Sequence, residues 1–363
     1  MLTDYVVWTV QYVLLPVTVP ILLLTGIPIA VWIERRGAAF IQDRVGPNRI
    51  PFFGLRNAGL LQPIADALKL LVKEDFVPAK ADKFLYYLAP AFSMTPALLT
   101  FAVIPFADVL EVGSYRIPLQ VADLNVGILF IFAIASLGVF GIVFGGWASN
   151  NKYSLLGGLR SSAQMISYEV AMGLSVIGVL IVFESVRLND IVRQQGELLF
   201  GFLPRWGIVV QPLGFLLFFV AALAETNRIP FDLPEAEAEI VAGYHLEYSS
   251  FKFSMYFMAE YVNMLVASGL LVSLFLGGWQ IPWLPTATLV SWAGPWVTAA
   301  LQATAFVVKL WFIMWVMIWI RWTLPRFRYD QLMGLGWRVM LPLALMNLCV
   351  TSLVPFLLGI YGT

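Results

Sequence analysis

The chain has 363 residues, of which 60% are hydrophobic and only 12% are charged. Its 22 basic residues balance its 22 acidic residues, and the mean hydropathy is +0.83. Because soluble domains carry about a quarter charged residues, this composition excludes an ordinary soluble enzyme. It also excludes a nucleic-acid-binding protein, which needs a basic face.

Only one cysteine and one histidine are present, Cys349 and His245. One of each is too few for a zinc site, an iron–sulfur cluster, a bis-histidine haem or an internal disulfide. No glycine-rich phosphate-binding motif follows an apolar strand, so we expect no nucleotide, flavin or metal in this chain. His245 lies in a loop, where a histidine is usually solvated. Any electron transfer would depend on redox centres in partner chains.

Eight segments are apolar enough to cross a bilayer, for which a helix needs about 20 residues. In chain order they are residues 10–33, 84–106, 125–146, 164–183, 208–224, 253–277, 296–320 and 339–358. They predict an all-α polytopic membrane protein that forms a single membrane domain over residues 1–363. No two-half symmetry of the kind found in many secondary transporters is visible. No basic residue precedes the first apolar segment, so no cleaved signal peptide is expected.

The basic residues cluster in alternate loops between these segments. Seventeen of the 22 lie in the odd-numbered loops, four in the even-numbered loops and one, Lys309, in the seventh segment. By the positive-inside rule, the odd loops are cytoplasmic and both termini lie outside. We expect a multi-pass protein of a bacterial cytoplasmic membrane.

The first cytoplasmic loop, residues 34–83, contains one amphipathic segment. Apolar residues recur at helical spacing from Leu60 to Val72, with Asp66 and Lys69 on the polar face. Asp66 is expected to pair with Lys69, three positions later. At about 14 residues this helix is too short to span, so it should lie along the membrane surface. It is either an interfacial anchor or the roof of a cavity that admits an amphiphile from the bilayer.

The fifth loop, residues 225–252, is acidic. Asp232 and Glu235 have the spacing of a capping box at the start of a helix. Capping does not explain Glu237 and Glu239. On a helix Glu235 and Glu239 would repel each other, which favours protonation of one of them when they are partly buried. Such a cluster can hold protons and pass them on.

Ionisable residues within the apolar segments are the costliest feature of the sequence. Each costs roughly 2.5–3.5 kcal/mol at the bilayer centre on insertion scales. Glu169 lies in the fourth segment, Glu225 ends the fifth, Glu260 lies in the sixth and Lys309 in the seventh. They are either buried pairs, with Arg228 as the expected partner of Glu225, or parts of a proton relay within the membrane.

Several strings of residues in the loops and segment ends carry a family resemblance. They are Glu34-Arg-Arg, Val45-Gly-Pro-Asn-Arg49, Leu60-Leu-Gln-Pro-Ile-Ala-Asp-Ala-Leu-Lys69, Lys73-Glu-Asp75, Gly146-Trp-Ala-Ser-Asn150, Lys152-Tyr-Ser-Leu-Leu156, Ile166-Ser-Tyr-Glu169, Ala224-Glu-Thr-Asn-Arg-Ile-Pro-Phe-Asp232, Ala259-Glu-Tyr261 and Pro325-Arg-Phe-Arg-Tyr-Asp-Gln331. These strings resemble the family of H subunits of bacterial NADH:quinone oxidoreductases, the counterparts of NADH dehydrogenase subunit 1 in respiratory complex I. The match runs in order from Glu34 to about Pro342.

The resemblance implies an eight-helix subunit between the membrane arm and the redox arm of a multi-subunit complex. It implies a quinone tunnel lined or bordered by Glu34, Arg35, Asp66 and Phe231. It implies a proton-coupling path through Glu169, Glu225, Glu235, Glu237, Glu239 and Glu260, with Tyr168, Arg228 and Asp232 nearby. The cost of membrane insertion independently singles out Glu169, Glu225 and Glu260, and adds Lys309.

The expected function is therefore a subunit of a proton-pumping NADH:quinone oxidoreductase, with ubiquinone or menaquinone as the substrate. Expected partners are iron–sulfur subunits of the redox arm, antiporter-like membrane subunits and the lipid bilayer. Three alternatives stay open. They are the equivalent subunit of a ferredoxin-linked or hydrogenase-type complex, a stand-alone proton-coupled transporter, and a purely structural docking subunit.

Overall fold

The fold was obtained as a computed structural model that describes residues 8–50, 59–112, 115–199, 201–233 and 240–357. Within these ranges the helices are α1 (Leu15–Ile41, preceded by a π-helical turn at Val10–Leu14), α2 (Gln62–Val72), α3 (Lys83–Phe101), α4 (Gly127–Ala148), α5 (Lys152–Phe183), α6 (Leu188–Gln194), α7 (Gly207–Val210), α8 (Pro212–Glu225), α9 (Ser250–Phe275), α10 (Thr286–Thr323), α11 (Tyr329–Gly334, followed by a π-helical segment at Leu335–Met340) and α12 (Leu341–Leu357). A 3-10 turn covers Gly243–His245. The prediction of an all-α polytopic membrane protein is confirmed.

Two small antiparallel hairpins and one isolated antiparallel bridge between Ile281 and Leu284 are the β-structure of these ranges. Strands β1 (Leu110–Val112) and β2 (Tyr115–Ile117) pair Leu110 with Ile117. Strands β3 (Leu198–Leu199) and β4 (Leu203–Pro204) pair Leu199 with Leu203. Both hairpins lie in even-numbered loops.

Seven helices of the described chain are long and apolar enough to cross a membrane: α1, α3, α4, α5, α9, α10 and the continuous α11–α12. The fifth predicted segment differs, because it divides into α7 and α8 at Gln211. Pro212 lacks an amide hydrogen and disfavours a helical conformation at the residue before it. Gln211 accordingly has φ −131° and ψ 60°. The 14 residues of α8 cover about 21 Å, less than the hydrocarbon thickness of about 30 Å.

Several helices extend beyond their predicted apolar segments, and α5 and α10 show two causes. Asn151 caps α5 by accepting a hydrogen bond from the amide of Tyr153, so this helix starts 12 residues before the predicted segment at 164. Helix α10 begins at Thr286 and kinks at Gly294, which has φ 77° ahead of Pro295. The predicted segment at 296 therefore marks the kink rather than the start of the helix.

Helix α9 is the central helix of the bundle. Of its most apolar 18 residues, 78% are buried, against 22% for the α11–α12 helix and 28% for α4. Small residues such as Ala259, Ser268 and Gly269 allow neighbouring helices to approach it closely. This position explains why α9 contacts most of the candidate site described below.

The surface helix α2 forms as predicted. Ile64, Leu68 and Leu71 on its apolar face are 47–58% exposed on this chain, as expected for a helix that lies at a membrane surface. Asp66 bonds to Arg35 of α1 instead of pairing with Lys69 as predicted. The tertiary contact with α1 outweighs a local pair that is worth only a few tenths of a kcal/mol.

The odd-numbered loops meet at one end of the bundle, which we call the basic side. The amide of Asp82 in the first loop donates to the carbonyl of Ala148 in the third. The amide of Phe327 in the seventh donates to the carbonyl of Pro230 in the fifth. Which side faces the cytoplasm, and where the termini lie, stay predictions from the distribution of charge.

Candidate functional site

A buried carboxylate at the basic end of α1 is the centre of an ion-pair network. Glu34 is only 6% exposed. Its Oε2 accepts hydrogen bonds from the Tyr261 hydroxyl at 2.7 Å and from the Arg228 guanidinium at 2.9 Å. Its Oε1 lies 2.5 Å from Nη1 of Arg321. Helices α1, α9 and α10 and the loop after α8 therefore converge on one carboxylate.

Arg228 connects Glu34 to a second carboxylate. Its Nε lies 2.5 Å from Oε1 of Glu260 on α9, and its guanidinium lies over the Tyr261 ring at 4.4 Å. Only 2% of its side chain is exposed. A guanidinium so far removed from water is stable only where carboxylates replace its hydration, and Arg228 has two. We call the buried row Glu34, Arg228 and Glu260 the charge line.

The predicted pairing of Arg228 with Glu225 is wrong. Helix α8 ends at Glu225, and Asn227 adopts a left-handed conformation with φ 51°. Arg228 therefore does not continue the helical face on which Glu225 lies. Its guanidinium instead reaches Glu34 and Glu260, which belong to α1 and α9.

A buried amide that was not predicted from the sequence holds this turn in place. Nε2 of Gln164 on α5 donates to the carbonyls of Ala224 at 2.7 Å and Phe231 at 2.8 Å. It thereby fixes both ends of the segment that carries Arg228. The available signal was an amide side chain in an apolar segment. Arg321 and Tyr261 were also missed, because each was interpreted only as a segment-end or motif residue.

Arg35 and Asp66 join α1 to the surface helix α2. Their side chains form an ion pair, and Nε2 of Gln62 also donates to Asp66 at 3.3 Å. Arg35 faces an open basin of about 1800 Å³ on the basic side. The basin is lined by Arg35, Ala38, Arg44, Val45, Gly46, Pro47, Asn48, Arg49, Gln62 and Trp322. Three of the four residues predicted to border a quinone tunnel, Glu34, Arg35 and Asp66, are thus brought together.

The fourth of these residues, Phe231, lies apart from the basin. It is 2% exposed, and its ring packs against Tyr168 at 5.4 Å and Phe327 at 5.5 Å between ring centroids. The Tyr168 hydroxyl donates to the carbonyl of Leu332 at 2.8 Å. Phe231 and Tyr168 therefore belong to the packing between α5, the fifth loop and the seventh loop.

A small cavity of about 40 Å³ adjoins the charge line within the bundle. We call it the acid cavity, because Glu225 and Glu260 both line it. Its other lining residues are Ser93, Pro96, Ala97, Ala135, Gly138, Ile142, Met165, Thr226, Asn227, Tyr244, Tyr256, Ala259 and Asn263. Glu260 thus belongs both to the charge line and to a cavity rich in polar groups.

Glu169, on α5, is the third acid of this group. It is half-buried, and its charge interacts with that of Glu225. The structure therefore brings the three acids of the apolar segments, Glu169, Glu225 and Glu260, into one neighbourhood. They lie on three different helices.

Asp232 lies at the basic end of this neighbourhood and pairs with Arg326 at 2.8 Å. The contact attaches the fifth loop to the seventh. The predicted acidic cluster of Glu235, Glu237 and Glu239, and with it the capping box, lies outside the described residues.

The structure separates Lys309 from the acids. Its ammonium donates to three carbonyls at the end of α9 and beyond, those of Leu276, Gly278 and Gln280, at 2.6–3.0 Å. It also lies 4.5 Å from the centre of the Trp206 ring. These partners belong to the side opposite the basic side. Lys309 and Arg321 are 12 positions apart on α10, which corresponds to about 18 Å of helix.

His245 packs edge-on against the rings of Tyr244 and Phe253, with centroids 5.0 and 5.3 Å away. It is half-buried rather than fully solvated as expected. Within the ranges that the structure describes, no three His, Cys, Asp or Glu residues are grouped to hold a metal ion.

On the opposite side, two ion pairs connect the second and fourth loops. The guanidinium of Arg187 bonds to both carboxylate oxygens of Asp123, and that of Arg193 contacts Asp108 at 2.8 Å. The hydrogen bond from Arg187 lowers the pKa of Asp123 below its usual range. These pairs hold the loops together far from the acids.

The arrangement on the basic side can connect events at the surface to protonation within the bundle. A new negative charge near Arg35 would weaken the ion pairs that Glu34 forms with Arg228 and Arg321. Because Arg228 is shared, Glu260 would then feel the change through a medium of low dielectric, where charges interact strongly. Glu260 and Glu225 face the same cavity, so a proton could move between them by way of water.

Comparison with known proteins gives a consistent result. A family model described as NADH dehydrogenase matches residues 13–352. The chain is 54% identical to the H subunit of the NADH-quinone oxidoreductase of Thermomicrobium roseum, with 89% of each chain covered. It is 52% identical to an H subunit of the same enzyme of Geobacter metallireducens, again with 89% of each covered. It is 46% identical to the H subunit of the Bdellovibrio bacteriovorus enzyme over 94% of this chain and 95% of that one.

The family match covers most of the chain, including every helix from α1 to α11. Each of these relatives is covered over most of its own length. The resemblance carried by the loop strings is thereby confirmed, and the chain belongs to the NADH dehydrogenase family.

Proposed function

We propose that this chain is the membrane subunit of an NADH:quinone oxidoreductase that borders the quinone chamber and couples quinone reduction to proton translocation. The observation that carries the proposal is the charge line. It connects the basin side of the protein, where Arg35 pairs with Asp66, to the acid cavity through Glu34, Arg228 and Glu260.

The quinone, ubiquinone or menaquinone, is the substrate, and the bilayer delivers it. The exposed apolar face of α2, with Leu68 and Leu71, offers an amphiphile a path along the membrane surface. Arg35 and Asp66 border the route towards the basin. Electrons come from iron–sulfur centres on redox-arm subunits, and quinone takes up two electrons and two protons to become quinol.

In this proposal the negative charge created during quinone reduction weakens the ion pairs of Glu34 with Arg228 and Arg321. The change reaches Glu260 through Arg228, and the protonation of Glu260 and Glu225 adjusts to it. Glu169 passes the signal on to antiporter-like membrane subunits. We assign Glu235, Glu237 and Glu239 to the basic-side entrance of the same path, with Tyr168 and Asp232 as positioning residues.

Glu260→Gln in the assembled complex tests this role. The amide keeps the size of the side chain but removes its charge and its ability to take up a proton. We expect quinone-linked turnover to fall at least about 10-fold, because proton transfer by a positioned group is worth at least that much. NADH oxidation with an artificial acceptor should be unaffected. Glu169→Gln should behave in the same way.

Glu111→Gln is the matched control, because Glu111 is 61% exposed on the opposite side and pairs with Arg116. Full quinone-linked turnover and pumping in Glu260→Gln and Glu169→Gln would refute the coupling role. Failure of a photoreactive quinone to label the loop between Arg35 and Lys73 would favour a docking subunit. The subunits that co-purify with the chain separate an NADH-linked complex from a ferredoxin-linked or hydrogenase-type one.

A further inference from the structure

The acid cavity has a neighbour on the basic side. A cleft of about 830 Å³ opens there between the first, third and fifth loops. It is lined by Pro78, Ala79, Lys80, Ser149, Asn150, Asn151, Lys152, Tyr153 and Glu247. We call it the surface cleft. Its polar and charged lining suits it to hold water and to exchange protons with the solvent.

Three hydroxyl groups occupy the space between the two cavities. Tyr256 lines the acid cavity, and its ring packs edge-on against that of Tyr248 with centroids 5.0 Å apart, which brings the two hydroxyls within reach of each other. The Tyr248 hydroxyl is also within reach of that of Ser149, which lines the surface cleft. We call Tyr256, Tyr248 and Ser149 the hydroxyl bridge. None of them belongs to the charge line.

The helix α4 is shaped to accept this bridge. A Cβ atom on Gly145 would lie 2.3 Å from the Tyr256 hydroxyl, so a larger residue would displace it. The same hydroxyl donates to the carbonyl of Gly141 at 3.2 Å, and Oγ of Ser149 donates to that of Gly145 at 2.6 Å. The absence of a side chain at Gly145 is what gives the Tyr256 hydroxyl its place.

Two contacts with Tyr86 fix Tyr248, the middle residue of the hydroxyl bridge. The Tyr248 ring stacks on that of Tyr86 with centroids 4.2 Å apart, and its hydroxyl donates to the Tyr86 carbonyl at 3.2 Å. Burial raises the pKa of Tyr248 to about 12. The hydroxyl therefore stays neutral near pH 7, and a neutral hydroxyl both donates and accepts hydrogen bonds.

We propose that Tyr256, Tyr248 and Ser149 relay protons between the surface cleft and the acid cavity, giving Glu225 and Glu260 a route to the basic side that bypasses the charge line. At rest each hydroxyl donates its proton to a backbone carbonyl, so a transfer begins when the hydroxyl rotates towards its neighbour in the bridge. Its oxygen then accepts one proton from one side while its own proton passes to the other. One proton thus crosses the bridge with no change in the number of electrons. The inference rests on the proposed coupling function.

The test uses Tyr248→Phe and Ser149→Ala in the assembled complex within membrane vesicles. Phenylalanine keeps the stacking on Tyr86 and removes only the hydroxyl. We expect each variant to lower proton pumping and quinone-linked turnover about 10-fold, since the proton transfer would be interrupted. We also expect a larger solvent deuterium isotope effect, because proton transfer becomes limiting. The double variant should be no worse than the more severe single variant, since both break one path.

Tyr87→Phe is the matched control, because Tyr87 is the neighbour of Tyr86 in sequence, is 55% exposed and lies outside the bridge. Activity and isotope effects equal to those of Tyr87→Phe would overturn the relay. So would a loss of turnover with an unchanged isotope effect, which would indicate a structural role. If Tyr248→Phe fails to assemble, Ser149→Ala decides, because the bond that Ser149 Oγ donates to the carbonyl of Gly145, four positions earlier, is local and its loss should not prevent assembly.

Glu260→Gln, measured in parallel, separates this inference from the proposed function. Loss of pumping in Glu260→Gln together with normal hydroxyl variants would refute the bridge and leave the coupling role in place. Normal pumping in Glu260→Gln would refute the coupling role itself.

Discussion

Arg228 and Glu34 are 194 positions apart in the chain, yet their guanidinium and carboxylate groups lie 2.9 Å apart in the interior. The contact links the loop after α8 to the end of α1. Because Arg228 also contacts Glu260, it connects the end of α1 on the basic side to a residue that lines the acid cavity. A single guanidinium thus joins two parts of the site that the sequence keeps far apart.

Arg228→Gln should be the most damaging single change in the charge line. Removing the guanidinium leaves Glu34 and Glu260 buried without their shared partner, and breaking such a pair costs about 3–5 kcal/mol. We expect a lower thermal stability of the complex and loss of quinone-linked turnover. Arg228→Lys keeps the charge but cannot contact both carboxylates in the same geometry, so it should rescue assembly better than turnover. Equal stability of Arg228→Gln and the surface control Arg116→Gln would contradict the buried pairing.

The pair of Arg35 and Asp66 should affect the quinone rather than the electron donor. We expect Arg35→Ala and Asp66→Ala each to raise the KM for quinone severalfold, because α2 loses its attachment to α1 at the border of the basin. A double-mutant cycle should show coupling of about 0.5–3 kcal/mol, as is typical of contacting residues. KM values measured with a series of quinone concentrations provide the check. Strictly additive effects would show that the pair does not act as a unit.

Filling the acid cavity should block coupling without harming the fold. A Cβ atom on Gly138 has nothing within 4 Å, and Gly138 lines the cavity. Gly138→Leu should therefore assemble normally but displace water beside Glu225 and Glu260, lowering pumping and quinone-linked turnover. Gly173→Leu is the matched control, because Gly173 also has open space around it but does not line the cavity. Similar activity in the two variants would argue against a role for the cavity.

Lys309→Met should change stability rather than coupling. The ammonium satisfies three carbonyls, and hydrogen bonds to charged groups are each worth about 1.5–3 kcal/mol. We expect a lower melting temperature of the complex with unchanged turnover per assembled complex. A pumping defect at normal stability would instead return Lys309 to the proton path.

Acidification should weaken the ion pair of Arg187 and Asp123. The hydrogen bond from Arg187 lowers the pKa of Asp123 in the folded chain. Its stabilisation is therefore fully present above the unfolded value of about 3.9 and is lost as the pH falls through the lower folded value. Asp123→Asn should therefore make the melting temperature fall less steeply as the pH is lowered through the acid range. Asp43→Asn, at an exposed position, should leave that fall unchanged; parallel curves for both variants would refute the assignment.

Much of the membrane architecture followed from the sequence alone. Hydrophobicity and insertion cost are properties of short stretches of chain, so they can be evaluated residue by residue. They were sufficient to locate seven spanning helices and the surface helix α2 in the described chain, and to single out Glu169, Glu225 and Glu260 as costly acids; the fifth predicted span instead divides into α7 and α8. The loop strings were sufficient to find the family, since each string is contiguous.

The tertiary structure decided which charges meet. Arg228 was assigned to Glu225 because they are three positions apart, but the left-handed turn at Asn227 directs it to Glu34 and Glu260. Lys309 was grouped with the acids because it too is charged and apolar residues surround it. Its position on α10 places it among carbonyls at the opposite end. The hydroxyl bridge left no signal, since single tyrosine and serine residues in loops and apolar segments are ordinary.

The composition of 60% apolar and 12% charged residues thus indicated that the lipid bilayer surrounds this protein, and it limited the chemistry of the chain to a few ionisable groups. It could not pair those groups, because pairing depends on how helices pack against one another. In a medium of low dielectric, a shift of a few ångströms decides whether a buried charge is satisfied or costly. That choice was made by the packing around α9, which brings four separate parts of the chain to one carboxylate.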